Sequence, residues 1–396
     1  MDEKERQRRI KILREKRRRK RKIKRNIILC SMLLAAIFVV VGIVKVIGHI
    51  SNTDKQAETV QNEQNLKTTE NQSTTDTADT LQQLEFTEST PEEAAEISLT
   101  ISLAGDCTLG QDENQSGNTF PVKYNEVNDP SYFFSGVQDA FANDDLTIVN
   151  FEGTLTESNN RVAKTYAFKG DPSYVNILTQ GSIEAVNLAN NHSQDYGVES
   201  YTDTKKYLDE ANITHFGYDE TAVIEVKGTK IGLIGIMDLF TGIECKSQLL
   251  ENIEKVKAEG AVLIIVSFHW GTEKEAYPDE IQKELAHTAI DNGADLVVGH
   301  HPHVLQGIET YNGKKIVYSL GNFCFGGNKN PSDKDTMIFQ QTFTVKGDQV
   351  LEDENINVIP CSLSSVSSYN DYHPIILEGT EAQRVLDKIN ERSAGI

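Results

Sequence analysis

From residue 96 onward, apolar runs of four to eight residues alternate with amphipathic stretches of helical period, and that rhythm restricts the chain to a largely parallel sheet with crossover helices. The runs fall at 97–104, 146–151, 183–189, 230–237, 261–268, 295–298 and 315–320. Helical patterns occupy 131–142, 198–211, 246–259 and 279–292, the last preceded by Pro278 and followed by Gly293, the punctuation of a helix start and stop. Lys227-Gly228 and Asn312-Gly313 each join two runs as tight hairpins, at 221–226 and 304–310 respectively, so antiparallel strands are added to the parallel set. Further strand-like segments occur at 336–345 and 354–359. So many strands in about 300 residues point to two sheets packed face to face with helices outside.

In open α/β sheets the ligand site lies beyond the carboxyl ends of the strands, where the loops converge. Five run ends here carry potential ligands: Asp106, Glu152, the pair Asn191-His192, His269, and the cluster His300, His301 and His303. Carboxylate O, amide O and imidazole N together suit a borderline or hard divalent cation, and two such ions can hold both oxygens of a displacement. On an extended backbone His301 and His303 would address one site, with Pro302 stiffening them and His300 facing the other way. Read singly, Asp106 after Gly105 could cap a turn, Glu152 could be a solvated loop acid, Asn191 could serve a turn, and His269 could pack on Trp270. Three imidazoles in four positions have no such core-packing use, and the joint pattern favours a metal site. His49, His215, His287 and His373 read as structural. Cys107 and Cys324 read as small buried residues, and Gly321, Gly326 and Gly327 mark a tight loop lining the site.

The N-terminal part is physically different. Residues 1–25 hold 15 Lys/Arg and 4 Asp/Glu, while the rest of the 396 residues hold 24 and 55. Residues 27–44 carry no charge and as a helix would reach roughly 27 Å, close to the hydrocarbon thickness of a bilayer. The basic block before this run places the N-terminus in the cytoplasm and the chain beyond residue 50 outside, as a single-pass signal anchor. The competing readings, a nucleic-acid-binding tail or a cleaved signal peptide, are weaker: the block is explained as an orientation signal, and the run is not succeeded by a clear cleavage site. Residues 51–95 contain 23 Ser/Thr/Asn/Gln and 10 acidic residues, with only nine apolar ones, and read as a disordered tether. The expected organisation is therefore a basic cytoplasmic tail over 1–25, a transmembrane anchor over 26–50, a linker over 51–95 and an extracellular domain over 96–396. The acidic body argues against nucleic-acid binding, and five scattered cysteines argue against a disulfide scaffold.

Six segments, LAGDCTLG (103–110), NFEGTLTE (150–157), NLANNHSQDYG (187–197), HWGTE (269–273), DLVVGHHPHVLQG (295–307) and YSLGNF (318–323), resemble in order the motifs of the CapA family of poly-γ-glutamate capsule synthesis proteins. That family is similar to the calcineurin-like metallophosphoesterases. The resemblance implies a four-layer α/β/β/α sandwich with one or two divalent ions (Mn, Zn or Fe). Asp106 would be the first-motif metal ligand and Glu152 would stand where the phosphoesterases have a bridging Asp. Asn191, His269, His301 and His303 would complete the shell, and His192 would be the catalytic proton donor. The phosphoesterase first motif is Asp-x-His, whereas this chain has Asp106-Cys107-Thr108, so one imidazole is missing. The resemblance leaves two functional readings. The first is a membrane-anchored, metal-dependent hydrolase-like protein acting on poly-γ-glutamate or a related anionic envelope polymer. The second is a non-catalytic assembly subunit of a membrane capsule synthase complex.

Overall fold

The computed structural model describes residues 95–351 and 355–396. The tail, the apolar run and all of the tether except Ala95 lie outside them, and among the described residues no helix is long and apolar enough to cross a membrane. The described residues form one compact unit.

Two sheets build that unit. The larger, nine-stranded sheet runs in the order β14 (Ile375–Ile376), β13 (Ile356–Ser362), β12 (Asp335–Lys346), β1 (Glu96–Thr108), β2 (Leu146–Phe151), β3 (Ala185–Asn187) and β4 (Thr214–Phe216), with β11 (Asn322–Phe325) lying parallel to β1 at its carboxyl end and the two-residue strand Gln349–Val350 antiparallel to the end of β12. The second sheet is six-stranded, in the order β9 (Ile308–Tyr311), β10 (Lys314–Val317), β8 (Leu296–His300), β7 (Leu263–His269), β6 (Thr229–Met237) and β5 (Ala222–Val226). From β1 to β4, and through β6, β7, β8 and β10, the pairing is parallel. The hairpins expected at Lys227-Gly228 and Asn312-Gly313 are the two antiparallel edges of the second sheet.

The core shows why these strands read as continuous apolar runs: both of their faces are buried. Leu99, Ile101 and Leu103 of β1 and Leu146 and Ile148 of β2 meet Ile231, Leu233, Leu263, Ile265, Leu296 and Val298 of the second sheet. The opposite faces carry helices. Val149, Phe151 and Val186 pack with α1 (Phe120–Val127), α2 (Gln138–Ala142), α3 (Val175–Gln180) and α4 (Gly197–Glu210) through Phe120, Phe141, Ile177 and Leu208. Ile264, Val266 and Val297 pack with α5 (Lys246–Ala258) and α6 (Glu280–Asp291) through Leu249, Ile253, Leu285 and Ala289. The order of layers is therefore helix, sheet, sheet, helix. Helix α6 begins with a capping box, in which Asp279 accepts from the Gln282 N–H and the Gln282 side chain accepts from the Asp279 N–H.

Local differences from the sequence reading have physical causes. The helix expected over 131–142 is a 3₁₀ turn, Pro130–Phe134, followed by the short α2, because Gly136 lies where a Cβ would meet the Pro374 carbonyl and the chain must pass close. The segment expected as a tight loop around 321–327 contains β11, which carries Asn322 into register with Asp106. The C-terminal helix α7 (Gly379–Ala394) was not legible. Only Val385 and Ile389 enter the inter-sheet core, so its apolar stripe is narrow, yet it contacts both β13 and β9 and closes one side of the sandwich.

Asp335, at the start of β12, fastens α7 through a bidentate pair with Arg384 (2.7 and 2.8 Å) and a bond from Lys388. Burial pushes its carboxyl up, but these cationic donors outweigh burial and hold it below its ordinary 3.8. A depressed carboxyl contributes stability that is present above the unfolded value and lost as pH falls through the folded one. Asp335→Asn should therefore cost about 2 kcal/mol at neutral pH, and its deficit against the parent should shrink below pH 3.8, in urea unfolding followed by circular dichroism.

Candidate metal centre

Parallel strands of both sheets end at one side of the sandwich, and the register lines up their polar residues. In the larger sheet Asn322 pairs with Asp106, Asp106 with Asn150, and Asn150 with Asn187, a row of four buried polar side chains across adjacent strands. In the second sheet His300 pairs with His269. The two rows meet.

Asn150 ties them together. Its Nδ2 donates to Asp106 Oδ1 at 2.8 Å and lies 3.2 Å from His269 Nδ1, while its Oδ1 accepts from Asn187 at 3.1 Å. Asp106 Oδ2 accepts from His303 Nδ1 at 3.2 Å and from the His301 N–H at 3.3 Å. His303 Nδ1 also donates to Asn322 Oδ1 at 2.8 Å, which turns its Nε2 toward Glu152. His269 Nε2 faces Asn191 Oδ1 at 2.8 Å.

Glu152 sits at the centre. It is 0 % exposed, neither carboxylate oxygen has a hydrogen-bond partner among the described residues, and Oε1 is 3.7 Å from His192 Nε2, 3.8 Å from His269 Nε2 and 3.9 Å from His303 Nε2. Burial pushes its carboxyl up to about 8, helped by Asp106 and opposed by His303 and Lys164. Burial pushes the imidazoles the other way: His301 falls to about 3, His300 to about 4, and His269 far below its usual range. At His303 burial is outweighed by Glu152 and Asp106, and the ring rises to about 9. His300 Nδ1 and His301 Nδ1 are also buried without hydrogen-bond partners among the described residues.

Orphaned buried acceptors of this kind are costly unless something supplies the missing partner. Two triads, Glu152 with His301 and His303 and Glu152 with Asp106 and His269, each place one donor atom per residue within 4.8 Å of one another, and they share Glu152. Carboxylate oxygens with imidazole nitrogens, and the Asn191 amide oxygen beside them, are the donor set of a borderline divalent ion, whose charge would displace the His303 proton. The residues present fit such an ion.

All seven side chains singled out in the sequence, Asp106, Glu152, Asn191, His192, His269, His301 and His303, converge here. His301 and His303 do so by a route other than the expected extended backbone: β8 ends at His300, and both have left-handed φ, 95° and 58°. His300 does not face away; its Nδ1 is 3.7 Å from Asp106 Oδ1. Asn150, Asn187 and Asn322 were missed, although an Asn at the buried end of an apolar run was a readable signal.

His192 stands at the rim. Its Nδ1 lies 2.6 Å from Asp195 Oδ2, and its ring stacks on Phe168 with centroids 4.3 Å apart. Lys164 donates to Asp195 Oδ1 at 2.6 Å and to the Asn191 carbonyl at 3.0 Å. Lys164 Nζ also lies 3.1 Å from Nδ1, but the shorter contact is to the Asp195 carboxylate, which only accepts, and this places the proton on Nδ1 with the Nε2 lone pair facing Glu152. Burial also holds the ring below its usual pKa, against Asp195. Nitrogen-15 chemical shifts of the His192 imidazole, recorded on metal-free protein at pH 7.5, should show a single Nδ1–H tautomer, and Asp195→Ala should give a tautomer mixture.

The profile of the bacterial capsule synthesis protein family PGA_cap matches residues 100–327. The capsule biosynthesis protein CapA of Bacillus anthracis is 29% identical over 309 residues, which are 72% of this chain and 73% of that protein. The PGA biosynthesis protein CapA of Bacillus subtilis (strain 168) is 32% identical over 252 residues, 57% of this chain and 63% of that protein. Among solved structures, the sulfate thiohydrolase SoxB of Thermus thermophilus superposes with a TM-score of 0.37 at 12% identity, covering 75% of this chain and 60% of that one. With its matched stretch running from β1 through β11, and so carrying every residue of the candidate centre, the chain belongs to the PGA_cap family of bacterial capsule synthesis proteins.

Proposed function

We propose that this protein is a membrane-anchored, extracellular, metal-dependent hydrolase-like member of its family, acting on poly-γ-glutamate or a related anionic envelope polymer. In this reading its sandwich is of the metallophosphoesterase type. The observation that carries the proposal is Glu152: a carboxyl group with no access to solvent and no hydrogen-bond partner among the described residues, facing three imidazole nitrogens at 3.7 to 3.9 Å.

Asp106, Glu152 and His269, with Asn191 beside them, would hold one ion, and Glu152, His301 and His303 a second. When bound, such an ion polarises a phosphoryl or acyl centre and lowers the pKa of water at neutral pH. The protein supplies the rest. Asn150 and Asn322 fix the orientations of Asp106 and His303 through hydrogen bonds to their side chains. His192 holds a proton at Nδ1 against Asp195, leaving Nε2 to pick up a second proton and deliver it to the leaving group on the open side of the site. Lys164 neutralises Asp195 and keeps His192 anchored. Phe168 walls off one face of that ring and limits water there.

The domain's acidic excess repels a polyanion, so engagement at a cationic metal centre is favoured over simple polymer adsorption. The alternative of a non-catalytic assembly subunit separates cleanly by mutation. Elemental analysis of the purified protein should find one or two divalent ions per chain. Glu152→Ala and His303→Ala should remove them, leave the far-ultraviolet circular dichroism unchanged, and abolish polymer output in cells. Full output from metal-free variants would overturn the catalytic reading in favour of assembly.

The anchor is tested independently. Deletion of residues 27–44 should move the protein from the membrane fraction to the soluble one, and a cysteine placed at Ser98 in the intact protein should react with a membrane-impermeant maleimide on whole cells. Protection of that cysteine until the cells are lysed would overturn the outward orientation.

A further inference from the structure

Two segments distant in the chain meet as a small ribbon: Gln111–Asp112 pairs antiparallel with Phe168–Lys169, Gln111 standing opposite Lys169. With Tyr196 and the 3₁₀ turn Pro172–Tyr174, this ribbon walls a cavity of about 300 Å³. None of the seven side chains of the metal centre lines it. Ligand sites span roughly 300 to 1,000 Å³, so this one takes a single side chain or a small molecule and not a length of polymer.

The wall is acidic. Glu113, Glu157 and Asp171 share it with a single ammonium, Lys169. Glu113 is partly neutralised by Arg161, whose Nε lies 3.4 Å from its Oε1. Glu157 is exposed and makes no hydrogen bond or ion pair among the described residues. Asp171 accepts from the Ser173 N–H and hydroxyl through Oδ1 alone, which leaves Oδ2 open. Lys169 is already committed: Nζ donates to the Ser158 carbonyl and to Asn159 Oδ1 at 2.9 and 3.0 Å and sits 4.7 Å over the Tyr196 ring. Two oxygens add to the negative excess. Gln111 Oε1 and the Tyr196 hydroxyl are buried without a hydrogen-bond partner among the described residues, and Tyr196 is 1% exposed. The negative end of an unpaired dipole is poorly screened in such a wall.

An anion meets two open carboxylates here and is repelled. A bare metal ion finds no chelating set, because the donor groups close enough together to hold one lie in the metal centre. An organic cation suits the wall better: its N–H groups reach the separated acceptors, and an apolar stem lies along Pro121, Pro172 and Tyr174. A quaternary ammonium has no N–H to give, and Lys169 already covers one face of the Tyr196 ring that would otherwise cage it. We propose that this cavity binds a primary alkylammonium group, carried by a lysine-type side chain or by a small free amine, with the ammonium toward Glu157 and Asp171 and the methylenes along Pro172 and Tyr174. The site has the opposite charge preference to the metal centre and does not depend on what that centre does.

Isothermal titration of the purified protein with n-butylammonium, N-α-acetyl-lysine amide, tetramethylammonium and n-butyrate tests this. Both primary amines should bind at one per chain and about tenfold more tightly than tetramethylammonium, and butyrate should not bind. Glu157→Gln and Asp171→Asn should each weaken butylammonium about threefold, as loss of one exposed charge partner does. Lys169→Gln removes the competing positive charge and should tighten butylammonium about threefold. Tighter binding of the lysine amide than of butylammonium supports a side-chain source, and the reverse order supports a free amine. Equal affinity for tetramethylammonium, binding of butyrate, or amine binding that Lys169→Gln weakens overturns the proposal.

Discussion

A carboxylate sealed from water with nothing to bond to is among the least comfortable groups a protein can bury, and Glu152 is such a group. It comes directly after β2, and its backbone N–H donates to the Cys107 carbonyl at 2.9 Å, so the main chain fixes where it must lie. The strands to either side can do nothing to relieve it. Around it instead stand imidazoles of which burial keeps His300 and His301 neutral, while His303, raised by Glu152 and Asp106, holds Asp106 ionised despite its own burial. Neutral nitrogens and unsatisfied carboxylate oxygens form an arrangement completed by a cation, and the fold reads as a scaffold for keeping that arrangement rigid.

Rigidity comes from the register of parallel strands. Because Asn322, Asp106, Asn150 and Asn187 occupy one row across four neighbours, Asn150 reaches both Asp106 and Asn187, Asn322 reaches Asp106 through the His303 ring, and the amide of Asn150 spans from Asp106 to His269 on the other sheet. The row is possible only where the sheets stop being apolar. Earlier along the strands, Leu103, Ile148 and Val298 are still part of the inter-sheet core. The close approach is also visible at Gly235, where a Cβ would stand 2.1 Å from Asn187 Oδ1; only a residue without a side chain lets β6 pass there. Helix α7, on the open flank, closes the same core from the side with Val385 and Ile389.

Much of this was legible in the chain. Runs buried on both faces announce themselves as uninterrupted Val, Ile and Leu, so the strands at 146–151 and 230–237 were placed within a residue, and α6 was marked at both ends by its flanking Pro and Gly. The polar residues at the strand ends were legible because nothing in a core explains three histidines in four positions. Less was legible where tertiary contact overrides local pattern. Helix α7 has two core residues in sixteen, too thin a stripe to stand out against its charged faces. The 3₁₀ turn before α2 depends on the approach of residues 374 and 375, more than two hundred positions away. Lys164 lies in a segment without regular structure, and no periodicity relates it to Asp195.

His301 and His303 show how a correct grouping can rest on the wrong geometry. An extended backbone would have set both on one face and His300 on the other. The chain instead leaves β8 at His300 and turns through two left-handed residues around Pro302, conformations that non-glycine residues adopt at a cost and that persist when surrounding bonds over-determine them. Those bonds are present: the His301 N–H donates to Asp106, the His303 ring bridges Asp106 and Asn322, and the Pro302 carbonyl accepts from Lys274 at 2.7 Å. The turn is what allows three closely spaced imidazoles to serve one pocket, with His300 behind Asp106 and the other two before Glu152. A straight strand would have sent one of the three into the apolar layer. The strain in the loop is thus coupled to the same cluster that leaves Glu152 unpaired, and a substitution that straightens it disturbs the site without touching a single donor atom.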